Sequence, residues 1–333
     1  NQKGEWRPCT DKEVIQYLVD KCPEPWGEYY DFLTALQEHR LDAKSYGTYV
    51  KGIRQRVYKG RVFPTFLLHG TTTGRPSCRN PNLQNITRGW RIRKQFVPVH
   101  PDNVFVSADY SQIEARILTW LAKEPWLRDI FNDPNRDLFD ELRPVLYGDT
   151  LHLDKYQLKE LRIRVKAYFY GLSYGREAKS IADEFGIPLA EAQRGMRAFF
   201  SVIPNVVEFR EATRRAVLHG DDLVTAFGRH RRFWLITKEN KKDIMNEALA
   251  FLPQSTASDA CLQAFTWVRP ELKGIGYVRN IVHDNIMVET HRNNADKVAD
   301  ILRYYMVKSG SQVVENYVNI DVDVSVGTDW GQL

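Results

Sequence analysis

The hydrophobic period changes abruptly inside NVFVSADYSQIEARILTWLAKE, residues 103–124. Val104, Val106 and Ala108 alternate, as side chains on one face of a strand must. Ile113, Ile117, Leu118 and Leu121 then recur at helical spacing. Asp109 stands at the junction. A second constraint lies far downstream in RNIVHDNIMVETH, residues 279–291. Two short apolar runs (Ile281, Val282 and Ile286, Met287, Val288) flank the polar break His283-Asp284-Asn285, which reads as a hairpin with Asp284 at its bend. Between these strand signals, residues 157–250 read as a largely helical block, interrupted by a hairpin at DDLVTAFGRHRRFWLI. A helix over 251–269 follows the block; after the second hairpin come a helix near 294–308 and a last strand, NIDVDVSVG. That order predicts an α+β platform into which a helical lobe is inserted, with Asp109 and Asp284 brought into one sheet from either side of the insertion.

Upstream, residues 11–60 look mainly helical, and DKEVIQYLVDKC places Val14, Ile15, Leu18 and Val19 on one face. The segment HGTTTGRPSCRNPNLQNITRG, residues 69–89, is too rich in Gly, Pro, Asn and Thr for regular structure. It is no Walker loop, since no Gly-Lys-Ser/Thr closes it. No internal repeat is present.

Composition narrows the functional classes. With 333 residues the chain can bury a sizeable core and form more than one lobe. Its formal charge of +5 permits a polyanionic partner without requiring one. Cys9, Cys22, Cys78 and Cys261 have no C-x-x-C spacing, which argues against a zinc site or disulfide framework and for reduced thiols. No apolar run reaches membrane-spanning length and no secretory signal opens the chain, so the expected setting is not secreted and lacks a membrane partner. The first residue is Asn1, so a domain of a longer chain is expected as readily as a monomer.

An Asp at a hairpin bend has an ordinary explanation, because Asp and Asn side chains bond their own turn backbone. It also has a chemical one. Phosphoryl transfer needs positioning and charge neutralisation, and two divalent ions about 3.5–4 Å apart can stabilise the attacking and leaving oxygens. Magnesium takes oxygen ligands, few of them from protein, so two aspartates on strand ends suffice. In LRIRVKAYFYGLSYG, Arg162 and Lys166 lie four residues apart on one helical face, and Tyr170 and Tyr174 continue that spacing. A basic turn followed by an aromatic turn suits phosphates at one end and a sugar or base at the other; a merely solvated basic face is the alternative.

These residues carry a resemblance to the polymerase region of family A DNA polymerases, the group of bacterial DNA polymerase I and many phage replicases. TGRPSCRNPNLQNI (73–86) resembles the family's primer-template loop, DYSQIEARI (109–117) its motif A, RIRVKAYFYGLSYG (162–175) its motif B and VHDNIMVE (282–289) its motif C. QSTASDA (254–260) resembles the helix before motif C, and VGTDW (326–330) the closing strand. The match runs from about residue 65 to the C-terminus, and the ordered set is far more specific than any one segment.

The resemblance implies a right-hand fold: an antiparallel palm sheet over 65–118 and 250–333, helical fingers over 119–249, and a reduced or truncated thumb over 1–64. It implies template-directed DNA synthesis from dNTPs on primer-template DNA, without a proofreading exonuclease on this chain, in a bacterial, phage-infected or organellar interior. Asp109 and Asp284 would hold two magnesium ions, which manganese can replace, with the Tyr110 carbonyl as a further ligand. Arg162 and Lys166 would grip the triphosphate, and Lys166 would protonate the departing pyrophosphate. Tyr170 would lie against the nucleotide, with Tyr110, Gln112 and Glu114 in the same substrate-binding set, and Tyr174 would guard the template side. Arg75 and Gln254 would bond the minor groove, whose degenerate acceptor pattern tests pair geometry more than sequence. Asn82, Gln84, Asn85 and His283 would help hold the duplex end.

Ser111 to Glu114 also matches a capping box, S-x-x-E, at a helix start. The family reading instead makes Glu114 the block against a ribose 2′-hydroxyl, and the match of the whole motif favours it. Two departures stand out. Asn285 replaces the Glu usual after the motif C Asp, which removes charge near the metals. Tyr170 stands where many bacterial members carry Phe, and its hydroxyl is expected to stand in for a missing nucleotide 3′-hydroxyl. Asp321 and Asp323, alternating with Val322 and Val324, read as a solvated strand face. The rivals are a single-subunit RNA polymerase, against which Glu114 and DYSQIE argue, and a metal-dependent nuclease, which has no use for Arg162, Lys166 and their aromatic neighbours. A non-catalytic DNA-binding relative is disfavoured by the intact Asp109, Asp284 and Lys166.

Overall fold

The computed structural model describes residues 10–21, 27–87, 90–150 and 152–333. Cys9 and Cys22 lie outside them, as do Arg88 and Gly89 at the end of the predicted loop. The chain divides into two compact units, Asn1–Thr65 with Cys78–Ile92, and Phe66–Ser77 with Arg93–Leu333.

In the first unit, helices Lys12–Lys21 and Gly27–Lys44 lead into a wide helical turn, Ser45–Lys51. Of the apolar face predicted for the first helix, Ile15 is buried while Leu18 is exposed. Gln37 donates to Gln16 across the helix pair at 3.1 Å. A hairpin follows, Val57–Tyr58 against Arg61–Val62. Its turn residues Lys59 (φ 49°) and Gly60 (φ 72°) both take the left-handed conformation that matches strand twist in two-residue hairpins. The segment predicted to be an irregular loop does hold short regular pieces, a strand at Ser77–Arg79 and a 3₁₀ turn at Leu83–Asn85. The turn forms because the Asn82 side chain accepts the Gln84 N–H at 3.0 Å and so caps it.

The second unit is organised on a four-stranded antiparallel sheet: β1 (Asn103–Tyr110), β2 (Gly276–Val282), β3 (Asn285–His291) and β4 (Val322–Gly327), in the order β4-β1-β3-β2. Alternation sorts the two faces. Val104, Val106, Ala108, Ile286, Val288 and Val322 are buried in the core. On that side lies α5 (Ala295–Val313), itself packed on α4 (Lys241–Glu271). Tyr110 donates its hydroxyl to the Met306 carbonyl on α5 at 2.7 Å, and Ser309 of α5 donates to the Ala260 carbonyl on α4 at 2.8 Å. The opposite face carries Ser107, Asp109, Asn285, Glu289, Asp323 and Ser325.

Between β1 and β2 runs the predicted helical insertion. It comprises α1 (Ile113–Ala122), Pro125–Asn132, α2 (Leu138–Tyr147), α3 (Lys155–Ser173), Ala178–Phe185, Leu189–Val202, Pro204–His219 and the start of α4. A two-residue-stranded hairpin, Leu223–Val224 with His230–Arg231, sits where predicted. The helix starts are capped from the sequence: Asp137 caps α2, and Asp154 with Gln157 forms a complete capping box on α3. The helix predicted over 251–269 begins ten residues earlier, at Lys241, and runs straight through Pro253. Proline loses one backbone bond there, yet Phe251, Leu252 and Pro253 are buried, and tertiary packing keeps the helix continuous. Among the described residues no helix is long and apolar enough to cross a membrane.

Candidate active site

The site is built at one end of the sheet. Strand register pairs Asp109 on β1 with Asn285 on β3 and with Asp323 on β4, one row on the polar face. Asp321 precedes β4, and both Asp321 and Asp323 are exposed. The β2–β3 turn consists of His283, held left-handed at φ 58°, and Asp284. The Tyr110 N–H donates to the Asp284 carbonyl at 3.4 Å, so the turn lies against the end of β1. Both acids act on one buried sulfur of α4: burial pushes the Cys261 thiol up, and the charges of Asp284 and Asp109 push it further. The Asp284 carboxyl is itself raised, chiefly by burial, with Arg75 and His283 opposing and Glu114 adding.

Beyond β1, Gln112 takes a left-handed conformation (φ 55°) as the residue before α1, and no side chain caps that helix. The capping-box reading of Ser111 and Glu114 is therefore wrong: the left-handed residue delays the helix by one position and turns Glu114 elsewhere. Its carboxylate accepts from Arg75 on one oxygen and from the Tyr174 hydroxyl, at 2.9 Å, on the other. Burial first, then Glu114, keeps Tyr174 well above its ordinary pKa, so it is a permanent donor. Arg75 is anchored in turn. Thr71 donates to its carbonyl at 2.7 Å, and the Ser258 hydroxyl reaches the Gly74 carbonyl at 3.4 Å. The Arg229 guanidinium covers Gly74 so closely that a Cβ there would collide with it, and the same guanidinium forks onto Asp259 of α4 at 3.1 and 2.6 Å.

α3 carries the basic and aromatic turns. Lys166 Nζ lies 5.9 Å from the Tyr170 ring centroid, and the Tyr170 and Tyr174 rings are 6.4 Å apart. Tyr170 is raised by burial, then by Glu114 and Asp284, which sets its hydroxyl beside the site acids. Arg162 is held by Asp137, the α2 cap, at 2.5 and 2.9 Å. Asn285 exchanges hydrogen bonds with Ser107, its amide nitrogen donating at 2.8 Å and its oxygen accepting at 3.0 Å. Gln254 is half-buried on α4 and His283 is exposed. Asn82, Gln84 and Asn85 belong to the first unit, where the Tyr49 hydroxyl donates to the Asn85 carbonyl at 2.9 Å. Asp109, Tyr110, Glu114, Tyr170, Tyr174, Arg75 and Asp284 are thus gathered around one end of the sheet. Among the described residues no group of three or more His, Cys, Asp or Glu is arranged to hold a metal.

A family model described as DNA polymerase family A matches residues 1–332. The chain belongs to DNA polymerase family A. It is 27% identical over 333 residues to DNA polymerase I of Helicobacter pylori, covering 97% of this chain and 35% of that protein. It is 30% identical over 318 residues to DNA polymerase I of Deinococcus radiodurans, covering 92% of this chain and 32% of that protein. The polymerase domain of Pol1 from M. smegmatis, solved in complex with DNA primer-template and dNTP, superposes with a TM-score of 0.86 at 28% identity, covering 97% of this chain and 56% of that one. The chain spans about a third of the length of the curated relatives it matches. Dependence on a divalent metal goes with the family.

Within this family A chain, three groups at the site escaped the motif reading. Arg116 is buried, bonds the Ser111 carbonyl at 2.8 Å and the Asn319 carbonyl, and stacks 4.6 Å from the Phe131 ring centroid. It clamps the segment that follows Asp109. Ser107 was readable only as one more strand residue, and Asp137 only as a helix cap. Their partners are 178 and 25 residues away, beyond any local pattern.

Proposed function

We propose that these residues form the polymerising region of a DNA-directed DNA polymerase that adds deoxynucleotides from dNTPs to a primer 3′ end and releases pyrophosphate. The observation that carries this is the strand register, which sets Asp109 one residue from the Asp284 turn, next to the aromatic end of α3.

The donor set fits hard divalent cations such as magnesium. Its side-chain ligands are carboxylate oxygens, the neighbouring Cys261 is kept a neutral thiol by burial, and a desolvated Asp284 is costly to leave as an unneutralised anion. Asp109, Asp284 and the Tyr110 carbonyl would hold them, and a bound metal pair would stabilise the attacking and leaving oxygens. The chain's own groups do the rest. Arg162 and Lys166 bind the triphosphate, and Lys166 delivers the proton that the departing pyrophosphate takes. Tyr170 packs against the sugar, and Gln112 belongs to the same nucleotide contact. Glu114 fills the space a 2′-hydroxyl would need, while Arg75 and Gln254 read the minor groove and Tyr174 closes the template side. Asn82, Gln84, Asn85 and His283 contact the duplex end.

Primer extension with magnesium, on a labelled primer, tests this. Asp109→Asn and Asp284→Asn should each lower extension by more than 100-fold while primer-template affinity stays within threefold, since two acids acting as one unit are each indispensable. Equal loss of binding would make Asp284 structural, and products shorter than the primer would make the enzyme a nuclease.

A further inference from the structure

Arg162, read above as a triphosphate ligand, is gripped by Asp137 along only part of its guanidinium. The guanidinium presents two edges to bidentate acceptors, Nη1 with Nη2 and Nε with one Nη. Asp137 takes the first: Nη1 donates to Oδ1 at 2.5 Å and Nη2 to Oδ2 at 2.9 Å. Asp140 Oδ1 lies 3.4 Å from Nη1 but is already bonded by Arg143 at 2.9 Å. The face of the guanidinium lies 5.2 Å from the centroid of the buried Phe139 ring. Among the described residues Nε bonds none, and the Arg162 side chain is 42% exposed. One edge is thus committed, one face is packed, and the second edge remains open.

We propose that Asp137 is a positioning residue for nucleotide recognition, holding Arg162 by its terminal edge so that the Nε edge is presented, already oriented, to a phosphate of the incoming triphosphate. This rests on the reading of Arg162 as a triphosphate ligand. An unrestrained arginine is among the side chains with most rotamer freedom to lose, and ordering it during folding relieves the nucleotide of that loss. Asp137 is itself fixed. It accepts the Phe139 and Asp140 N–H groups, both at 3.0 Å, as the cap of α2. Burial would raise its carboxyl, yet Arg162 and those two N–H groups hold it below the ordinary value, so it stays an anion. The competing effect is repulsion between Asp137 and phosphate. At a half-exposed site that repulsion is screened, and Asp137 variants that lower KM would show that it outweighs the ordering.

The test is steady-state single-nucleotide extension with Asp137→Asn, Asp137→Ser, Arg162→Ala and the Asp137→Asn/Arg162→Ala double variant. Asn and Ser are good helix caps, so α2 is kept while the charged fork is lost. Asp137→Asn and Asp137→Ser should each raise KM for dNTP about 3–10-fold, with kcat and primer-template affinity within twofold, and Asp137→Asn should add nothing in the Arg162→Ala background. If Arg162→Ala leaves KM unchanged, the triphosphate role of Arg162 fails and the proposal with it. If Arg162→Ala raises KM but the Asp137 variants leave it unchanged or lower it, the proposal alone is overturned. An Asp137→Asn effect that persists undiminished in the double variant would mean the cap, not the fork, was responsible, and would also overturn it.

Discussion

Glu114 is expected to decide between deoxyribose and ribose, and its surroundings set the size of the effect. A carboxylate alone could swing aside to admit a 2′-hydroxyl. Here Arg75 holds one oxygen and the Tyr174 hydroxyl the other, with the Glu114 side chain 19% and Arg75 26% exposed. Hydrogen bonds to charged groups contribute about 1.5–3 kcal/mol each, so giving up both costs ~3–6 kcal/mol. At 1.36 kcal/mol per factor of ten, discrimination by kcat/KM of about 10²–10⁴ follows. Glu114→Ala should erase most of it. Tyr174→Phe, which frees one oxygen, should lower it by about tenfold or more. The assay is single-turnover incorporation of a dNTP and the matching rNTP opposite one template base, compared as a ratio so that general loss of activity cancels. A ratio unchanged in Glu114→Ala would remove the carboxylate from sugar selection. A collapsed ratio in Glu114→Ala beside an unchanged one in Tyr174→Phe would show that the clamp is not what holds it in place.

Tyr170 stays protonated because burial and the nearby acids raise it, so its hydroxyl can donate where a dideoxynucleotide lacks its own. Tyr170→Phe should lower dideoxynucleotide incorporation relative to dNTP by about 10–100-fold; an unchanged ratio in chain-termination assays would dismiss that role. Glu289 is 2% exposed and accepts from Asn103 at 2.7 Å, the Val99 N–H at 2.8 Å and Arg279 at 2.8 Å. Burial alone would raise its carboxyl, but those three donors together hold it below the usual value of 4.5. A depressed folded value means the stabilisation is complete above the unfolded value and is lost as pH falls through the lower, folded one. Glu289→Gln should therefore cost roughly 1–3 kcal/mol in denaturant unfolding at pH 7, the gap from the parent narrowing as pH falls below 4.5. A gap constant from pH 7 to pH 3 would contradict this.

The sheet was largely legible in the sequence because its signals are local. A period-two run marks β1, and the polar break His283-Asp284-Asn285 between two short apolar runs marks the β2–β3 bend at Asp284. Helix boundaries were less so. The helix expected over 251–269 starts ten residues earlier because buried neighbours carry it through Pro253, and Asn82 caps a 3₁₀ turn in a stretch whose composition suggested no regular structure. Ser111 and Glu114 spelled a capping box, but the left-handed Gln112 displaces the helix start and leaves the glutamate for Arg75 and Tyr174. Spacing on α3 put Arg162 and Lys166 on one face correctly. It could not reveal Asp137 on the guanidinium, because side chains on two different helices meet only once both have packed.

β1 has neighbours on both sides, and both are made about 175 residues or more after it. At synthesis rates of ~5–20 residues per second, the strand waits roughly 10–35 s with its backbone donors and acceptors unclaimed. A run as apolar as VFVSA left open for that long is a template for pairing with other nascent chains. Holdase binding to ribosome-bound intermediates should accordingly peak after residue 110 leaves the exit tunnel and fall once β3 has emerged.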